Sequence, residues 1–301
     1  MRPVVVETPS TIDSTDASST LWTRARTRRW CHSCECACDD AVVIELTSGQ
    51  VTGRVDPNCG GRISQLVIGG VDLIFTGDRQ HDDPLDWGLY PMVPFAGRLR
   101  DGVLEWDGST YDFPRLRPPH ALHGTVHDTS WFVDHEGTTS CTLSTPLANP
   151  WPFPGRVTHD LDLHPDRLEL RLTLHADVDM PVQIGWHPWF RKPDSIDFSP
   201  GAVHRRDPDG IAEFRSEPCE RLSWGDLDDC FSDVDENLTI TIGGREVRLR
   251  SSCRHWVVYD RPAHATCVEP QSGPPNSLNV DPTIVTAGST IAEWFTMSWV
   301  D

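Results

Sequence analysis

A large antiparallel β-sandwich is the fold class this sequence predicts, and three observations predict it. Short apolar alternations of period two recur from Ala41 onward, and Gly, Asp, Asn and Pro interrupt them at close intervals. No segment keeps a 3.6-residue apolar period for more than about three turns. The clearest alternation is RLELRLTLHADV, where Leu168, Leu170, Leu172 and Leu174 fall on one face. In NLTITIGGREVRLR the pair Gly243-Gly244 separates Leu238, Ile240 and Ile242 from Val247 and Leu249, the pattern of a two-residue hairpin. AVVIELTSGQVTGRVDP and GRISQLVIGGVDLIF each offer two strands around a Gly-containing turn. With 25 prolines and 22 glycines as punctuation, packed antiparallel sheets are the architecture that remains.

The 301 residues suit one large all-β domain with a sizeable core, expected over residues 41–301. Residues 1–40 differ: they are Ser/Thr-rich, then basic in TRARTRRW, then cysteine-rich in CHSCECAC, with no sustained hydrophobic period. They are expected to form a disordered extension. Cys31, Cys34, Cys36 and Cys38, with His32, have the donor chemistry of a zinc site, but a second, separated ligand pair is missing and no metal is assigned. The N-terminus lacks the continuous apolar core of a secretory signal, so reduced thiols and a cytoplasmic location are expected. No apolar run approaches the roughly 18 residues that cross a bilayer. The 26 basic and 45 acidic residues give a formal charge of -19, which repels nucleic acid and anionic membranes and excludes both as expected partners.

Three segments set titratable residues among apolar, aromatic, Gly or Pro neighbours. HALHGTVHDTSW carries His120, His123 and His127; VQIGWHPWF carries His187 between Trp186 and Trp189; ATCVEPQSGPPNSLN carries Glu269 at an expected strand end before a Pro-rich loop. Aromatic neighbours shift a histidine's pKa and offer flat faces to sugar rings. Each residue also has an ordinary structural reading. A histidine among aromatics is commonly a hydrogen-bonded core residue, a lone glutamate serves as a salt-bridge partner, and His120 and His127 fit structural roles in a polar loop.

The joint pattern resembles the aldose 1-epimerase family over almost all of residues 41–300. The matching pieces occur in the family's order: GGRISQLVIGGVDLIF, YPMVPFAGRLRDGVLEWDGSTYDF, ALHG followed by Trp131, WPFPGRVTHDLDLHPDRLELRLTL, IGWHPWF, LDDCF and VEPQSGPPNSLN. The resemblance implies the galactose-mutarotase-like fold, a large antiparallel β-sandwich. It implies Glu269 as base at the sugar O1 and His187 as acid at the ring oxygen. His123 then bonds near the ring oxygen, and Arg98 and Asp228 hold hydroxyls, with Asp226 and Asp229 as neighbours of the last match. Trp186 and Trp189 are the expected sugar platforms. This sequence departs from the family pattern at Gly97, Thr125 and Asp229, where the family has Asn, Gly and His.

Exchange of α and β anomers removes a proton from the C1 hydroxyl and delivers one to the ring oxygen; the ring opens, C1 rotates and the steps reverse. One acid and one base suffice, so no cofactor and no metal are expected, and the expected partner is a small-molecule sugar. Ionised Glu269 and protonated His187 are expected to begin the cycle. Three rival readings stand beside this one. A hexose-6-phosphate 1-epimerase would use Arg191 and Lys192 on the phosphate. A glycoside hydrolase would use Glu269 and Asp228 as its carboxylate pair. A carbohydrate-binding or sensor protein would keep the pocket without turnover.

Overall fold

Alternation decides which way each strand faces. In the strand Arg167–Ala176 every second residue from Leu168 is buried, as the leucine spacing predicts. The strands Thr239–Ile242 and Arg245–Ser251 pair antiparallel across Gly243-Gly244, and both glycines have positive φ, as a two-residue hairpin turn of matching twist requires. The pairs Ile44–Ser48 with Val51–Asp56, and Arg62–Ile68 with Val71–Asp72, also form where the glycine-centred turns predict them. The computed structural model describes residues 43–78, 81–235 and 237–300; the expected extension over residues 1–40, with its cysteine cluster, lies outside them.

These strands build two main sheets, of eleven and eight strands, whose strand pairings are antiparallel. The centre of the larger sheet runs through Arg62–Ile68, Leu89–Met92, Gly185–Arg191, Ala265–Gln271, His255–Tyr259 and Asp228–Val234. The smaller sheet centres on Gly155–Leu163, Arg167–Ala176, Thr290–Trp299 and Arg245–Ser251. Leu161, Leu170, Leu172 and Phe295 of the smaller sheet share one buried cluster with Ile63, Trp186, Phe190 and Trp256 of the larger. Each such side chain contributes about 1.5–3 kcal/mol by leaving water. The fold is therefore the expected sandwich.

The larger sheet is covered on its second face as well. Phe75, Leu85, Trp87, Ala96, Leu116 and Leu122, from the connections, pack against Tyr90, Trp189 and Cys267. This explains why all seven residues of Ala265–Gln271 are buried instead of every other one. Polar side chains on that outer face are thereby held in a dry environment without entering the main core.

One polar contact inside the main core carries a pH consequence. Trp186 Nε1 donates to His159 Nε2 at 3.2 Å, which keeps that nitrogen an acceptor and the ring neutral. Burial lowers the His159 pKa from 6.5 to about 4. A lowered folded pKa gives a stabilising contribution that is present above the unfolded value of 6.5 and is lost as pH falls toward 4. The loss is on the order of 2–3 kcal/mol for this fully buried ring. His159→Gln keeps an acceptor for Trp186 but cannot titrate. Urea unfolding at neutral pH and near the lower end of that window is expected to show a smaller acid-induced loss in the variant than in the parent. An equal loss in both proteins would contradict this origin.

Candidate active site

Strand register brings the two principal residues together. Gly185 pairs with Gln271 and Trp189 with Cys267, so His187 stands across from Glu269. Their side chains share the outer face, with Nε2 of His187 3.3 Å from Oε1 of Glu269. Only 4% of His187 and 2% of Glu269 is exposed. The second carboxylate oxygen of Glu269 accepts a hydrogen bond from Gln271 Nε2 at 3.0 Å. The imidazole of His187 is clamped between two rings: Tyr90, its cross-strand partner, at 4.9 Å and 17°, and Trp189 at 5.3 Å and 23°.

His123 enters from the connections over this face. It follows the short strand Ala121–Leu122, which pairs with Arg98–Leu99, and its backbone N–H donates to the Gly97 carbonyl at 3.0 Å. Its φ is +58°, a left-handed conformation that a non-glycine residue holds at a cost on the order of 1–3 kcal/mol and that concentrates at functional sites. Gly124, next in the chain, has φ +79°, and a Cβ there would lie 2.1 Å from the Val93 carbonyl oxygen, so the LHG turn requires its glycine. The turn directs the His123 ring edge-on to His187, with centroids 4.7 Å apart at 84°. Gly97, one of the departures from the family pattern, also has positive φ, and Asn and Gly are the residues that tolerate that backbone.

At the other end of the site Asp228, buried on the same face, is ringed by guanidinium groups. Arg206 Nη1 donates to its Oδ2, Arg261 Nη1 lies 3.7 Å from that oxygen, and Arg98 Nη2 lies 3.8 Å away. Arg98 Nη1 also donates to the Gly210 carbonyl at 3.2 Å. Of the three neighbouring aspartates, Asp226 is exposed and pairs with Arg261. Asp229 lies 3.7 Å from Arg206 and 3.9 Å from Arg205. Asp228 is the one beside Arg98.

Burial opposes charge throughout the site. It lowers the His187 pKa from 6.5 to about 3 and holds His123 well below its ordinary value. It raises Glu269 well above the carboxylate range, with nearby Asp228 adding to the rise and the Gln271 hydrogen bond opposing it. Burial also raises Asp228, against the three arginines. Both principal groups are thus pushed toward their neutral forms by burial.

Several expectations need correction. Trp186 is one residue from His187, and the pleat turns it to the opposite face, where it is fully buried against His159 and Phe295. It cannot serve as a sugar platform from there. Trp189 is at the site but only 5% exposed, with its Nε1 donating to the Leu85 carbonyl and its ring between His187 and His264. It buttresses His187 and leaves no open face. Arg191 is paired with Asp72, and the Lys192 ammonium is taken up by the Asp260 side chain and carbonyl and by the Pro262 carbonyl. Neither is poised for a phosphate.

His120 and His127 are both buried. His120 accepts from the Asp101 N–H and meets the Asp209 carbonyl, while the His127 carbonyl accepts from Arg62. Nothing local in the sequence marks Arg62. It is fully buried, donates to the carbonyls of Cys59, Pro84, Trp87 and His127, and lies 5.1 Å from the Tyr90 ring centroid. Tyr90, Gln271 and Arg206 also belong to the site without being expected from the sequence. For Tyr90 and Gln271 a signal existed: Gln271 is two residues from Glu269, hence on its face, and Tyr90 opens the YPM run. Nothing local marks Arg206. Of donor sets for a metal ion among the described residues, His123, His187 and Glu269 offer three atoms within 4.8 Å of one another.

Residues 43–202, more than half of the chain, match the family model for aldose 1-epimerases. The chain belongs to the aldose 1-epimerase family. The match covers Arg98, His123 and His187; Asp228 and Glu269 lie beyond it. An uncharacterized protein, YphB of Escherichia coli K12, is 28% identical over 113 residues, which is 35% of this chain and 37% of that protein. The matched stretch thus spans little more than a third of this curated relative. Among solved structures, an aldose epimerase homologue from C. elegans superposes with a TM-score of 0.75 at 15% identity, over 86% of this chain and 99% of its own. A galactose mutarotase-like protein from Clostridium acetobutylicum gives 0.74 at 15%, over 87% and 96%. A galactose 1-epimerase from Lactobacillus acidophilus gives 0.72 at 12%, over 87% and 96%. These likenesses establish that the family's galactose-mutarotase-like sandwich is the fold of this chain. The family implies a small-molecule sugar as substrate. No helix among the described residues is long and apolar enough to cross a membrane.

Proposed function

We propose that this family member is an aldose 1-epimerase in activity, with Glu269 and His187 as the proton-transferring pair. The observation that carries the reading is the buried contact of 3.3 Å between His187 Nε2 and Glu269 Oε1. Ring opening takes the O1 proton onto Glu269 and gives the His187 proton to the ring oxygen. The pair holds one proton before and after this step: on His187 with the closed sugar bound, on Glu269 with the open chain bound. Burial brings the charged and neutral arrangements of the pair closer in free energy, because it penalises the charged one. Burial by itself favours the neutral arrangement. A bound closed sugar supplies hydroxyls that replace lost water contacts and favour the charged one. The C1–C2 bond then rotates, and closure from the other face returns each proton to its origin. His123, edge-on to His187, hydrogen-bonds the ring oxygen, and Arg98 and Asp228 hold hydroxyls at the far end.

A second reading of the substrate, a sugar bearing an anionic group such as a 6-phosphate, is favoured by the guanidinium groups of Arg98, Arg206 and Arg261 around the single Asp228 oxygen. Polarimetry tests both together. Crystalline α-D-glucose and α-D-galactose, dissolved with and without the protein, are expected to reach equilibrium rotation faster with it. Anomerisation of glucose 6-phosphate, followed by NMR exchange, measures the anionic arm. Spontaneous rates on all three sugars would overturn the assignment. A rate ratio above one for the phosphate over glucose would select the second reading.

A further inference from the structure

The two imidazoles and the carboxylate that point at one another make a donor set that the proton-transfer chemistry does not use as such. We propose that His123, His187 and Glu269 bind a divalent zinc-type ion reversibly, in the place of the sugar. Imidazole nitrogen and carboxylate oxygen are ordinary zinc ligands, and three of them with one open position is the arrangement that leaves a water on the metal.

The distances fit. Ligand atoms around a tetrahedral ion with bonds of about 2.0–2.1 Å stand roughly 3.3 Å apart. His187 Nε2 and Glu269 Oε1 are already at 3.3 Å, and a ring nitrogen of His123 is within 4.8 Å of both. The remaining approach needs a swing of the His123 ring, whose Nδ1 is buried without a hydrogen-bond partner and so gives up no bond when it moves. The opposite side of the site is fixed: the His187 ring is held between Tyr90 and Trp189, and Glu269 is held by Gln271. Two of the three ligands are therefore preorganised.

The same site shows why the ion is a reversible occupant. A ligand histidine in a permanent metal centre usually donates its second N–H to a carboxylate or carbonyl, which orients it and strengthens the bond. Nδ1 of His187, like that of His123, is buried without such a partner. Loss of such support typically weakens metal affinity by about 10–100-fold. The ion also lies where the sugar O1 and ring oxygen have to be, so metal and substrate exclude one another.

Zinc binding by the full-length chain is measured by calorimetry, with Cys31, Cys34, Cys36 and Cys38 changed to Ser so that their thiolates do not take the ion. One equivalent is expected, with affinity falling at least about tenfold in each of His123→Asn, His187→Asn and Glu269→Gln. Circular dichroism verifies folding of each variant. His264→Ala is the control, because His264 and His81 lie with ring centroids 4.1 Å apart and form the neighbouring histidine pair. Cobalt(II) substituted for zinc should give the visible bands of nitrogen and oxygen ligation without thiolate charge transfer. Unchanged affinity in all three variants, loss of binding in His264→Ala alone, or no binding by the parent would overturn the proposal. Competition with sugar rests on the proposed mutarotase activity and is read separately, as zinc inhibition of mutarotation reversed by chelator. Binding that depends on the triad in a protein without mutarotation leaves the metal site standing and removes only the activity. Mutarotation insensitive to saturating zinc overturns the exclusion.

Discussion

Glu269→Gln is expected to lower the mutarotation rate by at least about 100-fold, the lower end of what a positioned acid or base contributes. The substitution keeps shape and length. Its amide still offers an oxygen to Gln271 Nε2 and still meets His187, so sugar binding should change far less than turnover. It removes only the capacity to take the O1 proton. Burial raises the carboxyl pKa, so an uncharged group at this position is not expected to destabilise the fold. The expected signature is therefore a fall in kcat with a KM near that of the parent and an unchanged melting temperature. A variant that mutarotates at the parental rate would remove Glu269 from the mechanism. A variant that fails to bind sugar would assign Glu269 to recognition instead.

His187→Asn is expected to cause a loss of similar size, again at least about 100-fold, with a different accompaniment. The imidazole fills the slot between the Tyr90 and Trp189 rings at 4.9 and 5.3 Å. A shorter amide gives up both stacking contacts, each worth roughly 0.5–1.5 kcal/mol in aromatic pairs. A measurable drop in unfolding free energy should accompany the loss of rate. Comparing the two variants separates chemistry from packing: both lose turnover, and only the histidine variant loses stability. Equal stability in both would show that the stacked rings do not support one another as the geometry indicates.

How much of this site is legible along the chain differs residue by residue. His187 and Glu269 stand out locally because a titratable residue amid WHPWF or CVEPQ is chemically odd there. Their partnership is not local: it depends on the register that sets Gly185 against Gln271 and Trp189 against Cys267. Trp186 illustrates the converse. Its position beside His187 suggests a shared site, yet alternation along a strand places neighbours on opposite faces, and Trp186 packs with Phe295 in the main core. Arg206 and Arg62 carry no local mark, since an arginine in a loop or at a strand start normally points to water. Only the placement of those particular guanidiniums, buried among backbone carbonyls for Arg62 and half-buried against Asp228 for Arg206, shows what they do.

By itself the sequence determined the strands, the Gly243-Gly244 hairpin and the sandwich, because a period-two apolar pattern and turn glycines act over a few residues and need no knowledge of distant neighbours. It also singled out His187 and Glu269 by residue type. The tertiary structure alone decided which face of the larger sheet is the site, how dry it is, and which aromatic rings hold His187. Those outcomes arise from pairings and coverings between segments far apart in the chain, and the free energy of such contacts belongs to both partners at once. The push of both groups toward their neutral forms has the same cause. A pKa is set by the solvent a group has lost, and the connections packed over the outer face are what exclude it.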